Sequence, residues 1–225
     1  MPRESYQSDL TQLREAVIAM SDLVCERLRL ALRAMDEHDV ALAEEVVTGD
    51  HEVNETYLEL EGRCVELLAL QQPVAGDLRF IVASFKIITD LERIADLAVN
   101  LGEYTTADDR ERYPEIDVVA IGEATVHMVE AAMAAYAEDD AAATREIDER
   151  DDEIDEWCAT ASEVVVRDLL ATGADVDDHS VVEPVLEDVS RTLLTIRDLE
   201  RVGDHAVNIA ARTLYMVEND DELIY

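Results

Sequence analysis

Apolar residues recur at steps of three and four along six stretches of the chain. This is the spacing of one buried helix face. Few prolines and glycines interrupt these stretches, which argues against an architecture of many short strands. The predicted helices span approximately residues 5–37, 39–71, 74–104, 116–138, 140–171 and 180–219. The pattern therefore predicts an all-α protein of six long helices.

Local signals refine the helix ends. Asp39 is a suitable cap for the second helix, and Pro73 marks the turn before the third. Pro184 is expected to interrupt the sixth helix early, because proline lacks a backbone donor. The last six residues, 220–225, are expected to fray.

An internal repeat divides the chain. Asp90 begins the sequence DLERIADLAVN and Asp198 begins DLERVGDHAVN, with eight of eleven positions identical. The second and fifth helices also align without gaps around Asp50 and Asp151. Short turns make neighbouring helices antiparallel. We predict two tandem three-helix bundles related by a pseudo-twofold axis. The predicted domains are residues 1–107 and 108–225, and the boundary between them lies in the polar stretch 105–115.

The charge balance is strongly acidic. The 225 residues include 54 acidic and 18 basic side chains, for a net charge of −36, and Lys86 is the single lysine. This composition resembles adaptation to a very salty cytoplasm, where salt screens the repulsion between carboxylates. It argues against nucleic acid and anionic lipid as partners, because both require a basic face.

The remaining composition indicates a soluble cytoplasmic protein. Cys25, Cys64 and Cys158 show no metal-binding spacing, and their odd, sparse count fits a reducing compartment. Cys64 and Cys158 stand among apolar helical positions, so we expect these two thiols to be buried. The first ten residues lack the apolar segment of a signal peptide. No run approaches the roughly 20 apolar residues of a membrane span, so no membrane insertion is expected.

Each copy of the repeat carries two carboxylates four residues apart. These are Glu92 and Asp96 in the first copy and Glu200 and Asp204 in the second. Four residues advance a helix by about 40° beyond a full turn, so each pair shares one face. That face lies away from the apolar centre of its helix, at the edge or outside of the bundle.

The second and fifth helices carry carboxylates close to their apolar stripes. Asp50 has Asn54 beside it, and Asp151 has Asp155. In each half, these residues precede the turn between their helix and the next by about 20 residues, and the acidic pair of the repeat follows that turn by about 20 residues. Because the two helices are antiparallel, both sets lie at one level, about 30 Å from the turn. A carboxylate facing other helices is costly unless it is paired or metal-bound, and oxygen clusters suit hard cations. The candidate metal ligands are Asp50, Glu92, Asp96, Asp151, Asp155, Glu200 and Asp204.

A salt-bridge network is the alternative to metal. Its candidate partners are Arg63, Arg79, Arg93 and Arg201. Two histidines adjoin the acidic positions, His51 after Asp50 and His205 after Asp204, and are conceivable extra ligands. Neither is part of the repeat, so we expect both on the surface.

The doubled signature Asp-Leu-Glu-Arg-Ile/Val-Ala/Gly-Asp resembles the PhoU family, as do the runs 71–79 and 85–90 upstream of its first copy. The resemblance implies a dimeric all-α protein that binds metal ions through Glu92/Asp96 and Glu200/Asp204, with iron, zinc, manganese or magnesium as candidates. It also implies a non-enzymatic negative regulator of phosphate uptake. Its partners would be the ATPase subunit of the phosphate ABC transporter and, in bacteria, a phosphate-sensing histidine kinase.

The sequence departs from the family pattern at three positions. Ala95 replaces the usual glycine, Asn54 stands where the second half has a carboxylate, and Glu187 occupies the position equivalent to Arg79. The first-half metal site is therefore expected to be the less complete one.

Two other functions remain open. One is a carboxylate-bridged metal oxidase or storage bundle, and the other is a metal-free structural bundle. The oxidase requires Glu-x-x-His motifs on facing helices, but no histidine of this chain follows an acidic residue by three positions.

Overall fold

The computed structural model describes residues 3–71, 73–105, 113, 115–173 and 179–224. Within these ranges the chain forms six helices and no strand, which confirms the all-α prediction. The helices are α1 (Arg3–Glu37), α2 (Val40–Gln71), α3 (Ala75–Tyr104), α4 (Val118–Glu138), α5 (Ala141–Gly173) and α6 (His179–Glu218). Each begins and ends within a few residues of its predicted position.

Four helices form the centre of the molecule. Helix α1 packs against α3 and α4, and α6 packs against the same two helices, while α2 covers α1 and α3, and α5 covers α4 and α6. One apolar core runs through both halves. Its members include Cys25, Cys64 and Cys158, which are buried free thiols, as was predicted for Cys64 and Cys158. The predicted boundary between residues 107 and 108 lies outside the described residues, so the division into two domains stays a prediction.

Both halves use the same joint between their first two helices. His38 and Asp139 end α1 and α4 in the left-handed region, with φ of 52° and 55°. Asp39 then accepts a hydrogen bond from the Ala41 amide at 2.9 Å, and Asp140 accepts the equivalent bond from Ala142 at 2.9 Å. These caps satisfy amides that the first helical turn leaves without partners. The prediction of an Asp39 cap is confirmed.

Polar contacts fasten the two halves together inside the core. The hydroxyl groups of Tyr136 on α4 and Ser84 on α3 lie 2.7 Å apart, and the Tyr136 ring stacks on Phe80 with centroids 6.1 Å apart. Arg14 donates to the Tyr136 carbonyl at 2.6 Å and to Asp139 at 2.8 Å. Side chains of α1 and α3 therefore fix the end of α4.

Helix α6 continues through Pro184, so the predicted interruption there is wrong. The proline stands in the second turn of a helix of 40 residues. The loss of one backbone hydrogen bond near the helix start is offset by tertiary packing along the rest, which supplies most helix stability in proteins.

The end of the chain is held in place, so the prediction of fraying is wrong for residues 220–224. Leu223 is only 6% exposed and packs with Ala141 and Leu214. The Arg145 guanidinium lies 3.4 Å from Glu222 and 3.5 Å from Asp220. One apolar anchor and one multiply paired arginine therefore attach the tail to the start of α5.

Helix α4 corrects the prediction about membrane spans. Its 21 residues are long and apolar enough to cross a membrane, with a mean hydropathy of 1.4. In the fold, 56% of that apolar window is buried, and α4 packs against α1, α5 and α6. A helix that is apolar on most sides is expected at such a central position.

Candidate metal centre

The predicted carboxylates lie within electrostatic reach of one another at two places, between α2 and α3 and between α5 and α6. In the first half, Asp50 of α2 lies close enough to influence the electrostatics of both Glu92 and Asp96 on α3. In the second half, Asp151 and Asp155 of α5 stand in the same relation to Asp204 on α6. The structure thus brings the acidic residues of each half together.

The first-half cluster is partly satisfied by an amide. The Asn54 side chain donates to Asp50 at 2.5 Å. The pKa values of Glu92 and Asp96 are both raised, first by burial and then by repulsion from neighbouring carboxylates that include Asp50. Arg93 partly opposes the rise at Glu92, and Arg201 partly opposes it at Asp96. Asp50 has an uncharged hydrogen-bond donor where the second half has another acid.

The second-half cluster is purely acidic. Burial, followed by the charges of Asp155 and Asp204, raises the pKa of Asp151 to about 7. Burial and Asp204 raise the pKa of Asp155. Burial, Asp155 and Asp204 raise the pKa of Glu200, and Arg197 opposes them. Like charges held close together favour protonation, or a cation that replaces the proton.

One atom of this cluster is buried without a partner. The Oδ1 atom of Asp151 is inaccessible to solvent and forms no hydrogen bond. It lies beside Gly203, where an added Cβ would approach it to 2.8 Å. At the position of Gly203 the first half has Ala95, whose methyl group is buried. Glycine in the second copy of the repeat therefore leaves space for the unpartnered Asp151 oxygen, and alanine in the first copy has a methyl group at the equivalent place.

Three of the four arginines proposed as alternatives bind elsewhere. Arg63 donates to Gln12 at 3.5 Å, Arg79 donates to the Met216 carbonyl at 3.5 Å, and Arg201 pairs with Asp198 at 3.4 Å. Over the described ranges, no arginine forms an ion pair with any of the seven candidate ligands. A network of direct salt bridges therefore does not hold these carboxylates, although Arg93, Arg201 and Arg197 act on Glu92, Asp96 and Glu200 without an ion pair.

The carboxylates face each other without converging. Among the residues the structure describes, no three Asp, Glu, His or Cys side chains are arranged to hold a metal ion. Mutual repulsion separates like charges, so coordination would require rotamer changes. The second half fits a hard cation, because it has four carboxylates and an unpartnered buried oxygen. The first half fits less well, because the Asn54 amide already donates a hydrogen bond to the Asp50 carboxylate.

Asp90, Asp198 and His205 have a role that the sequence did not reveal. Asp90 and Asp198, the first residues of the two copies, are 8% and 4% exposed. The carboxylate of Asp90 lies 2.9 Å from Nδ1 of His205 on α6. Asp198 accepts hydrogen bonds from Asn100 at 3.1 Å and Tyr104 at 3.0 Å, both on α3.

These contacts join the halves across the α3–α6 interface. His205 is 7% exposed, so the expectation of a surface histidine is wrong, whereas His51 is exposed as predicted. Periodicity could have indicated that Asp90 is buried, since Asp90 precedes the buried Leu97 by two helical turns and shares its face.

Comparison with known proteins decides the family. A sequence model of the PhoU domain matches residues 17–105 and again 118–213. The chain belongs to the PhoU family. The phosphate-specific transport system accessory protein PhoU homolog of Synechocystis is 32% identical over 98% of this chain and 95% of its own length. The homolog of Pseudomonas putida is 30% identical over 97% of this chain and 82% of its own length.

Solved PhoU structures share the fold. The crystal structure of PhoU from Pseudomonas aeruginosa has a TM-score of 0.86 at 29% identity and covers 96% of this chain and 100% of that chain. The phosphate transport system regulatory protein PhoU from Streptococcus pneumoniae has a TM-score of 0.84 at 24% identity, covering 96% of this chain and 98% of that chain. The arrangement of six helices is therefore that of PhoU proteins.

Proposed function

We propose that this PhoU protein is a metal-binding regulatory adaptor of phosphate transport and a negative regulator of uptake through the phosphate ABC transporter. Its family membership and its relatives, named as accessory proteins of the phosphate-specific transport system, support this role. The metal-binding part of the proposal is carried by one observation, the unpartnered buried oxygen of Asp151 beside Gly203.

The second half supplies the principal site. Asp151 and Asp155 of α5 and Glu200 and Asp204 of α6 hold the ion, and Asp50, Glu92 and Asp96 form the weaker counterpart. A bound divalent or ferric ion (iron, zinc, manganese or magnesium) neutralises these carboxylates and links two helices. Without it, Asp155 and Asp204 repel each other across the α5–α6 interface. Occupancy thus changes how firmly α5 is held against α6, and a partner recognises that difference.

An adaptor explains the site better than an oxidase does. A carboxylate-bridged oxidase needs histidine ligands beside its carboxylates, but His205 is bound to Asp90 within the α3–α6 interface. The sequence also has no glycine-rich phosphate loop. We therefore assign no enzymatic activity.

The proposed partners follow from the family. They are the ATPase subunit of the phosphate ABC transporter, a phosphate-sensing histidine kinase in bacteria, and a second copy of the chain in a homodimer. The proposed location is the cytoplasm. The charge of −36 further supports a halophilic source. Because salt screens the repulsion between the carboxylates, the melting temperature should rise as KCl is added. A melting temperature independent of KCl contradicts this part.

Gene deletion tests the regulatory role. Loss of the protein should raise phosphate uptake in cells grown in rich phosphate, and the wild-type gene should restore repression. A Glu200→Ala/Asp204→Ala gene should fail to restore it while producing the same amount of protein. Unchanged uptake after deletion contradicts the regulatory role, and full complementation by the double variant contradicts the role of metal.

A further inference from the structure

A row of basic side chains follows the junction between α3 and α6. The basic residues of α3 are Arg79, Lys86 and Arg93, each seven positions after the previous one. Seven residues are close to two helical turns, so the three side chains lie on one face and span about 21 Å. Arg79 reaches α6, because its Nε donates to the Met216 carbonyl at 3.5 Å.

Helix α6 presents its own basic residues to the same junction. Arg201 lies within electrostatic reach of Asp96 on α3, and Arg197 lies within reach of Tyr104 on α3. Arg212 follows Arg201 by eleven positions, or just over three full turns, and so shares its face. We call these six residues the basic seam: Arg79, Lys86, Arg93, Arg197, Arg201 and Arg212.

Most of the seam forms no direct ion pair, although Arg93, Arg197 and Arg201 lie within electrostatic reach of carboxylates. Arg201 pairs with Asp198 at 3.4 Å, but over the described ranges none of the other five forms an ion pair. The Nε atom of Arg212 is buried and has no hydrogen-bond partner. Lys86 and Arg93 are exposed. Unpaired cations in a row are unexpected in a chain with 54 acidic residues and 18 basic ones.

The row of basic residues on α3 is not duplicated in the second half of the chain. Arg93 and Arg201 occupy matching positions of the two copies, but the positions of Arg79 and Lys86 are Glu187 and Leu194 in the second half. Both halves fold alike without sharing these charges. The basic seam is therefore a property of one part of the surface and not a demand of the helix bundle.

Apolar side chains accompany the cations on α3. Leu78 and Val82 are each 42% exposed, and Tyr215 on α6 is 36% exposed. Val82 precedes Lys86 by one turn, so the two lie on one face. A strip that combines exposed apolar groups with unpaired cations has the character of a binding surface.

Spacing identifies the kind of ligand. Side chains distributed over about 21 Å of one helix cannot converge on a single small anion. Their seven-residue repeat instead matches the repeat along a second helix lying against the first, as in helix-in-groove recognition. We propose that the basic seam docks an acidic amphipathic helix of a partner protein, with apolar anchors on Leu78 and Val82 and carboxylates on Lys86 and Arg93.

The net negative charge of the protein does not prevent this contact. At physiological ionic strength, exposed charges more than about 8 Å apart are largely screened, so an acidic partner responds mainly to the nearby cations. A second copy of the chain is a poorer occupant, because twofold symmetry brings one basic seam onto the other. The inference rests on the proposed adaptor role, but not on the metal site.

A designed peptide tests the proposal directly. The probe is a fluorescent, helical 21-residue peptide with leucines along one face and flanking glutamates seven residues apart. Two matched peptides replace the glutamates by lysine or the leucines by serine. Fluorescence anisotropy with the full chain should show saturable binding of the acidic peptide alone, weakening as salt rises. No binding, or equal binding of the lysine peptide, overturns the proposal.

Variants locate the contact. Lys86→Glu should weaken binding about tenfold, because it replaces an attraction by a repulsion, and Val82→Ser should weaken it by a similar factor. Arg33→Glu, an equal charge reversal at an exposed site on α1, should leave binding unchanged. Equal effects of Lys86→Glu and Arg33→Glu overturn the assignment to the seam.

Two further measurements separate the outcomes. Glu200→Ala/Asp204→Ala should still bind the acidic peptide, so loss of metal and loss of docking are distinguishable. Sedimentation of wild type and Lys86→Glu should show the same oligomeric state. A dimer that dissociates on Lys86→Glu identifies the seam as an interface between copies and contradicts the proposed partner.

Discussion

The buried Oδ1 atom of Asp151 lies beside Gly203, at a place where the Cβ of any other residue would come within 2.8 Å of it. This oxygen has no hydrogen-bond partner. Its repeat counterpart, Asp50, is held by Asn54 instead, and Ala95 stands in place of the glycine. The pair Asp151–Gly203 is therefore the clearest structural sign that the two halves share a fold and differ in their chemistry.

Gly203→Ala should weaken metal binding while leaving the fold intact. The new methyl group displaces the Asp151 carboxylate, and misplacing one ligand typically costs tenfold to a hundredfold, or roughly 1.4–2.8 kcal/mol, in affinity. Stability without metal should change little, because alanine favours a helix by up to about 1 kcal/mol over glycine. Isothermal titration with Mn²⁺ measures the affinity and chemical denaturation measures the stability.

Gly62→Ala is the matched control, since an added Cβ there meets nothing within 4 Å. It should raise stability and leave metal affinity unchanged. If both alanine variants bind metal as the wild type does, the space beside Asp151 is not part of the site.

Exchanging the acid and the amide should move metal capacity between the halves. Asn54→Asp gives the first half its missing carboxylate and should raise the metal content per chain, and Asp155→Asn should lower it. Without metal, Asn54→Asp should destabilise the fold by about 1 kcal/mol, because it removes the hydrogen bond to Asp50. Elemental analysis after equilibration with Mn²⁺ and desalting gives the content. Changes in the same direction for both variants contradict this account.

Asp151 should make the metal-free protein less stable as the pH rises towards neutrality. Its pKa is raised to about 7 by burial and then by Asp155 and Asp204, against about 3.9 in an unfolded chain. Because the folded form binds this proton more tightly, the stabilisation is fully present below about pH 4 and is lost as the pH rises through about 7.

Denaturation in the presence of a chelator measures this dependence. Asp151→Asn should flatten the fall in the free energy of unfolding between about pH 4 and 7. The exposed Asp36→Asn should leave the fall as it is in the wild type. An unchanged pH dependence in Asp151→Asn contradicts the raised pKa.

His205→Leu should destabilise the α3–α6 interface, although leucine occupies the matching position of the first half. The substitution leaves the buried Asp90 carboxylate without its partner, at a cost of about 1–3 kcal/mol. Thermal and chemical denaturation measure the loss. His51→Leu, at an exposed position, should stay within about 0.5 kcal/mol of the wild type. Equal stability of both variants implies that Asp90 finds water or another donor.

The helices were predictable because their apolar periodicity and their caps agree, as at Asp39. The common level of Asp50, Glu92 and Asp96 was predictable because helical rise and turn position fix it. Pairing inside the bundle was not predictable in this way. Asp90 and His205 meet only because α3 and α6 pack closely, and no local pattern on either helix encodes that contact. The anchoring of Leu223 is likewise a tertiary effect that overrides the tendency of chain ends to fray.

The basic seam also shows the limit of composition. A net charge of −36 averages over the whole surface and does not reveal a local row of basic side chains. Lys86 and Arg93 lie two helical turns apart on one face of α3, and the packing of α3 against α6 adds the basic residues of α6 to that row.

The metal content of the Glu200→Ala/Asp204→Ala protein tests the central claim most directly. Wild type purified without chelator and reconstituted with iron, manganese, zinc or magnesium should carry bound metal. The double variant should lose most of it while keeping its helical circular dichroism. The control Asp22→Ala/Glu26→Ala removes an exposed acidic pair of the same spacing on α1 and should retain the metal. Metal-free wild type after reconstitution, or a double variant with its full metal content, contradicts the claim.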